Sequence, residues 1–219
     1  MFSKELLTNE IPVLNLRDTG NFSLSQMEDY KLKHLPVVSE GKYLFLISEK
    51  DIFGMENPDD SVENRSRYAP CVSENTCILE VLQIVNHNRL TVLPVVNSQG
   101  EYLGSITLDR LLEKLGELCN TGYKGALIAL ELNLPDYSLS QMIHLVEQNN
   151  AKVLNVFSFI EEKTNKQIVL LKIDLEDASH VLRSLERFNY PVRYYSQKQL
   201  LTDEIMRSRL NELIFYLEL

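Results

Sequence analysis

The chain carries one sequence pattern twice, and this repeat restricts the fold more than any other feature. Leu35–Val38 reads Leu-Pro-Val-Val, and the same four residues return at Leu93–Val96, 58 positions later. Further matches at offsets of 58 and 59 are Leu24 with Leu82, Leu32 with Leu90, Gly41 with Gly100, Tyr43 with Tyr102 and Ile47 with Ile106. Two copies of one supersecondary unit are expected to pack on each other, because a solenoid needs three or more.

Each copy contains signals for a helix, a hairpin and a second helix. In the second copy we expect a helix from Ile78 to Asn88, strands at Val92–Val96 and Tyr102–Thr107, and a helix from Leu108 to Leu115. Ser73 to Thr76 offer side chains that can cap the first of these helices. In the first copy we expect a helix from Ser23 to Lys33, strands at Leu35–Val38 and Tyr43–Ile47, and a helix starting over Glu49–Phe53.

This order, with Ser48-x-x-Asp51 at the strand-to-helix step, resembles the CBS domain, so the two copies resemble a CBS pair, or Bateman module. The resemblance implies that Ser48 and Thr107 hold the phosphate of an adenine nucleotide and that Asp51 holds its ribose. Arg110 stands where the second aspartate is expected and could contact phosphate instead. Phe45 occupies a position where the family often has glycine. The alternative is that Ser48 and Thr107 only cap helices.

The second half predicts the order β-α-β-β-α-β, which is the ferredoxin-like plan. Expected strands are Ala126–Leu132, Lys152–Phe159, Gln167–Ile173 and Tyr190–Tyr195; expected helices are Ser138–Asn149, with Ser138 as cap, and one containing Ala178 to Phe188. With its Asn133–Asp136 turn, this half resembles the ACT domain, which implies an amino-acid site at Asn133, Asp136 and Tyr137. The usual Pro-Gly of that loop is absent, since Asp136 follows Pro135.

Together the two halves form an α+β chain: CBS repeat 1 over residues 1–58, CBS repeat 2 over 59–119, an ACT-like domain over 124–196 and an amphipathic helix over 197–219. This arrangement resembles the acetoin-utilisation B-type regulatory proteins. The last segment starts a helical apolar stripe after Asp203, and such a stripe predicts burial in the same domain or in a homodimer.

Composition excludes several classes of function. A net charge of -9 and a pI near 5.0 argue against nucleic acid as a partner. The sequence contains no run of about 18 apolar residues, so we expect no membrane span and a cytoplasmic location. The three cysteines, Cys71, Cys77 and Cys119, are expected to be small buried hydrophobes in a reducing compartment.

No catalytic or metal motif is found. The four histidines, His34, His87, His144 and His180, are scattered, and we expect them on solvated helix surfaces. Asp59, Asp60 and Glu63 lie in a polar linker and lack calcium-loop spacing. We therefore predict a non-enzymatic sensor that binds AMP, ATP or S-adenosylmethionine, needs no cofactor or metal, and relays occupancy through the ACT-like domain to a protein partner. The alternatives are a ligand-free scaffold with degenerate sites and an amino-acid-responsive regulator.

Overall fold

The computed structural model describes residues 1–63 and 68–196, and the chain divides into two compact units between Leu118 and Cys119. The predicted tail helix, with its cap Asp203, lies outside the described residues. The other predicted domain boundaries stay a prediction.

The first unit contains both repeats. Its helices are α1 (Gly20–Asp29), α2 (Glu49–Phe53), α3 (Ile78–Asn88) and α4 (Leu108–Leu118). Its strands are β1 (His34–Ser39), β2 (Lys42–Ser48), β3 (Val72–Ser73), β4 (Val92–Val96) and β5 (Tyr102–Thr107). The predicted bounds of α3, β4 and β5 are confirmed. These segments have the strongest apolar periodicity, and the hairpin between β4 and β5 is antiparallel as expected.

The predicted bounds of α1 are wrong. The helix starts at Gly20 because the Thr19 side chain accepts a hydrogen bond from the Phe22 amide at 3.2 Å. It ends at Asp29 because the chain turns into the left-handed region at Lys31, where φ is 55°. The predicted cap of α3 is also wrong: Cys77 occupies the cap position, and its amide donates to Glu80 at 3.1 Å.

The two hairpin turns hold the repeats together through reciprocal backbone hydrogen bonds. The Tyr43 amide donates to the Gly100 carbonyl at 3.2 Å, and the Tyr102 amide donates to the Gly41 carbonyl at 2.8 Å. Both glycines have φ near 77–78°, a conformation that other residues adopt only at a cost. The repeat seen in the sequence is therefore a twofold-like relation in space.

The cores of the two repeats interlock. Leu46 of β2 is 1% exposed and packs in the repeat 2 cluster with Val81, Leu93 and Ile106. Val92 of β4 is fully buried in the repeat 1 cluster. Each repeat thus completes the apolar core of the other.

The segment that precedes each repeat forms backbone hydrogen bonds with a strand of the other repeat. Thr8 exchanges two backbone hydrogen bonds with Ser105 of β5, at 2.9 and 3.1 Å, and Leu6 is buried in the repeat 2 core. The corresponding bond on the other side joins the Leu46 amide to the Tyr68 carbonyl at 2.9 Å. The linker between the repeats is polar as described above, yet two of its apolar residues, Met55 and Val62, enter the repeat 1 core.

The second unit confirms the ferredoxin-like order. Strands β6 (Leu127–Leu132), β7 (Val153–Glu161), β8 (Lys166–Ile173) and β9 (Val192–Tyr195) form an antiparallel sheet in the order β7-β8-β6-β9. Helices α5 (Leu139–Gln148) and α6 (Ser179–Arg187) share one core with the sheet, which places both on one face. Ser138 precedes α5 as predicted, but its side chain makes no capping hydrogen bond.

Replacing Leu46 with alanine tests the interlocked core. We expect Leu46→Ala to lower the free energy of unfolding by about 2–5 kcal/mol, since it removes a fully buried side chain. Leu44→Ala, at a position 37% exposed on the same strand, is the control and should change it by about 0.5 kcal/mol or less. Urea denaturation measures both. Similar losses for the two variants would contradict the packing of Leu46 into repeat 2.

Candidate functional site

A cleft of about 440 Å³ lies between the two repeats of the first unit. Its walls come from the N-terminal segment, the end of α1 and the step from β5 into α4. The lining residues are Thr8, Glu10, Ile11, Tyr30, Lys31, Leu32, Thr107, Asp109, Arg110 and Glu113. A molecule bound here would contact residues from both repeats.

Gly104 allows the N-terminal segment to reach this cleft. It has a φ of 147°, and a Cβ placed on it would lie 2.7 Å from Asn9 Oδ1 and 3.1 Å from the Thr8 carbonyl oxygen. A side chain at this position would therefore push residues 8 and 9 away from β5. Phe45 is the equivalent residue in repeat 1, and its ring is buried in the core. The glycine that the sequence lacks in repeat 1 is present in repeat 2.

Thr107 and Arg110, both predicted to bind the nucleotide, lie together at the start of α4 and line the cleft. Thr107 ends β5 and its Oγ1 accepts a hydrogen bond from the Arg110 amide at 3.2 Å, so it caps α4. The Arg110 guanidinium forms an ion pair with Glu113 at 2.5 Å. The charge predicted to be available for phosphate is therefore shared with a carboxylate one turn along the helix.

Ser48 and Asp51 form a separate cluster in repeat 1, and they do not line the cleft. The Asp51 carboxylate accepts from the Ser48 amide at 2.8 Å and from the Ser48 hydroxyl at 2.6 Å. The Asp51 amide in turn donates to the Ser48 hydroxyl at 3.2 Å. This reciprocal capping box starts α2.

His34 belongs to the same region, and sequence reasoning missed it. It lies on β1 opposite Ser48, not on a solvated helix as predicted. Its Nδ1 lies 3.3 Å from the Thr91 amide, which can only donate, and 3.0 Å from the Thr91 hydroxyl. Nδ1 is therefore the acceptor, and the neutral ring carries its proton on Nε2. The sequence contained one signal for it: His34 occupies the position that Val92 occupies in the apolar strand of repeat 2.

Burial lowers the pKa of His34 below its usual value of 6.5. Asp51 and Glu49 oppose this shift because they attract the imidazolium, and Lys33 adds to it. A neutral His34 thus joins the start of β1 to Thr91 of the other repeat. The other three histidines are exposed on helices.

The prediction that the three cysteines are buried is wrong. All three are free thiols, but Cys71 is exposed and the other two are half-buried. Asp59 of the linker accepts a hydrogen bond from the Asn21 side-chain amide at 2.7 Å. Among residues 1–63 and 68–196, no group of three or more metal-ligating side chains is placed to hold an ion.

The second unit has its own cleft, of about 430 Å³. Asn133 and Asp136 line it as part of the predicted amino-acid site, whereas Tyr137 does not. The Asn133 side chain donates to Asp136 at 2.8 Å and accepts from Lys166 at 2.5 Å. Arg193, also in the lining, pairs with Glu161 at 2.9 Å. The cleft therefore contains both positive and negative side chains.

No helix within the described ranges has the length and apolar character required to cross a bilayer.

Residues 65–117 match the family model of the CBS domain. The second repeat matches this family. Because the first repeat shares its pattern and element order, the match and the repeat together support a CBS domain pair.

Similar proteins were found among both sequences and structures. Inosine-5'-monophosphate dehydrogenase of Methanocaldococcus jannaschii is 27% identical over 112 residues, which are 50% of this chain and 23% of that protein. The chain spans about a quarter of the length of the curated relatives that it matches. A solved CBS domain pair/ACT domain protein of Thermotoga maritima is 25% identical, with a TM-score of 0.49, over 53% of this chain and 98% of that one. CBSX2 solved in complex with AMP is 14% identical, with a TM-score of 0.49, over 54% and 98% of the two chains.

Protonation of His34 is expected to destabilise the first unit. Because its pKa is lower in the folded chain, the unfolded chain binds more protons just below pH 6.5. The stabilising contribution of His34 is full above pH 6.5 and is lost as the pH falls through the lower, folded pKa. In His34→Asn the amide oxygen can replace Nδ1 as acceptor but does not titrate, so the variant should lose less stability on acidification.

Urea unfolding at several pH values between about 7 and 5 measures this difference. The same substitution at the exposed His87 controls for the removal of a histidine. If wild type and His34→Asn lose stability in parallel, the proposed role of the His34 to Thr91 contact is wrong.

Proposed function

We propose that this chain is a non-catalytic regulatory module whose CBS pair binds an adenine nucleotide or a related adenosine compound. The single observation that carries the proposal is the cleft between the repeats, because its residues Thr107 to Glu113 lie in the segment that matches the CBS family. We assign Thr107 and Arg110 to this cleft, and Ser48 and Asp51 to the equivalent place in repeat 1.

The lining of the cleft suits an adenosine group. Tyr30, Ile11 and Leu32 supply aromatic and aliphatic surface for a flat base. Thr107 and Asp109 supply a hydroxyl and a carboxylate, which can hydrogen-bond to ribose hydroxyl groups. In repeat 1, by contrast, the Asp51 carboxylate is already bonded to Ser48. We therefore place the principal site in repeat 2.

The position of the cleft supports a sensing role. A ligand there would contact Tyr30 to Leu32 of repeat 1 and Thr107 to Glu113 of repeat 2. It would favour the arrangement of the repeats in which both sets of contacts form, which is the differential affinity that a sensor requires. Three further points stay predictions. They are the relay of that preference through the second unit to a protein partner, the homodimer and the cytoplasmic location.

Amino-acid binding by the second unit is a second candidate. The mixed charges of its cleft favour it, because Arg193 and Lys166 could attract the carboxylate of an amino acid and Glu131 and Asp136 its ammonium group. The identification of this unit as an ACT-like domain is part of this candidate.

Thermal unfolding of the full chain with adenosine, AMP, ATP, S-adenosylmethionine and a panel of amino acids tests both candidates. A ligand that binds only the folded state adds about 2.7 kcal/mol of stability at 100 times its dissociation constant. We expect at least one adenosine compound to raise the melting temperature. Stabilisation by amino acids alone would favour the second candidate, and no stabilisation by any compound would favour the ligand-free scaffold.

Two variants locate the adenosine site. Thr107→Val removes the hydroxyl at the cleft and should weaken binding about tenfold, equivalent to about 1.4 kcal/mol. Asp51→Asn can keep the acceptor for Ser48 and should have a smaller effect. Titration calorimetry measures both affinities. A loss of binding in Asp51→Asn with none in Thr107→Val would move the site to repeat 1 and contradict the assignment to this cleft.

A further inference from the structure

The cleft between the repeats contains more negative than positive side chains. Glu10, Asp109 and Glu113 contribute carboxylates, whereas Lys31 and Arg110 contribute the positive charges. The chain as a whole also has a net negative charge, of -9. A ligand carrying a phosphate would meet this excess of carboxylates, and the repulsion between like charges would weaken its binding.

Arg110 is the group best suited to offset that repulsion, because a guanidinium can bind phosphate through two parallel hydrogen bonds. Its NH1 group is instead held 2.5 Å from Glu113, three residues along α4. The two side chains are 37% and 55% exposed, so this ion pair is partly open to solvent. A phosphate would have to compete with the Glu113 carboxylate for Arg110 while approaching that same carboxylate.

We propose that this cleft prefers adenosine compounds with a neutral or positively charged 5′ substituent over AMP and ATP, and that Glu113 determines this preference by engaging Arg110. The proposal rests on the proposed function, since it concerns the ligand class of the same site. In repeat 1, the position equivalent to Arg110 is occupied by Asp51. Arg110 with Glu113 is therefore a feature of repeat 2, which also carries the principal site.

Lys31 does not reverse the preference. It lies at the left-handed turn after α1 and lines the cleft together with Glu10 and Asp109. It contributes one positive charge to a lining that also contains these two carboxylates, in addition to the Arg110 to Glu113 pair. Neutralising Glu113 removes one carboxylate and releases one guanidinium, so it is the single substitution expected to change the preference most.

Titration calorimetry of the full chain with adenosine, AMP and S-adenosylmethionine tests the proposal. In the wild type we expect adenosine and S-adenosylmethionine to bind more tightly than AMP. Glu113→Gln should raise the affinity for AMP about fivefold and change that for adenosine less than about twofold. The gain should shrink at high salt, because screening weakens interactions between exposed charges.

Glu117→Gln is the matched control. Glu117 pairs with Lys114 at 2.7 Å on the same helix, with the same spacing, and it does not line the cleft. The control makes the same change in net charge and should leave the ratio of AMP to adenosine affinity unchanged.

The outcomes separate the two proposals. If adenosine or S-adenosylmethionine binds but AMP binds more tightly in the wild type, the charge preference is wrong while the adenosine site stands. If Glu113→Gln and Glu117→Gln change AMP affinity equally, Glu113 is not the determinant. If no adenosine compound binds, the proposed function fails and this inference fails with it.

Discussion

The fold of the first unit depends on the reciprocal hydrogen bonds between its two hairpin turns. The amide of Tyr43 donates to the carbonyl of Gly100, and the amide of Tyr102 donates to that of Gly41, so the two turns are joined directly. Glycine at both positions permits the left-handed backbone that these turns adopt. With the hairpins fixed to each other, Leu46 and Val92 enter the core of the opposite repeat. Stability and pairing of the repeats therefore have the same origin.

Departures from the repeat determine where function can lie. Gly104 admits the N-terminal segment beside β5, whereas the equivalent Phe45 fills the core of repeat 1. Val92 is fully buried, whereas the equivalent His34 bonds to Thr91 across the repeats. The two halves thus have one backbone plan and different chemistry. The cleft at Thr107 forms on the side where a glycine replaces a large side chain.

The sequence predicted the elements that depend on apolar periodicity, such as α3, β4 and the βαββαβ order of the second unit. The prediction failed where an element boundary depends on tertiary contacts or on a backbone conformation. The end of α1, for example, depends on a positive φ at Lys31, which no side-chain pattern indicates. It also found only part of the candidate site. Thr107 and Arg110 lie in a motif, but Thr8, Glu10 and Tyr30 come from distant segments that the crossed arrangement of the chain brings to the same cleft.

Geometry and charge constrain the ligand in different ways. In the proposed site, the size of the cleft and the apolar side chains of Tyr30 and Leu32 suit an adenosine group. They do not distinguish among compounds that share this group. Charge would distinguish them, because a phosphate changes little of the shape near the base but would add negative charge to a cleft that contains Glu113. If α4 carried an uncharged residue at that position, its N-terminal end and Arg110 together would favour phosphate. In the proposed site, selectivity would therefore depend on a short-range ion pair within one helix, while the shape of the cleft depends on both repeats.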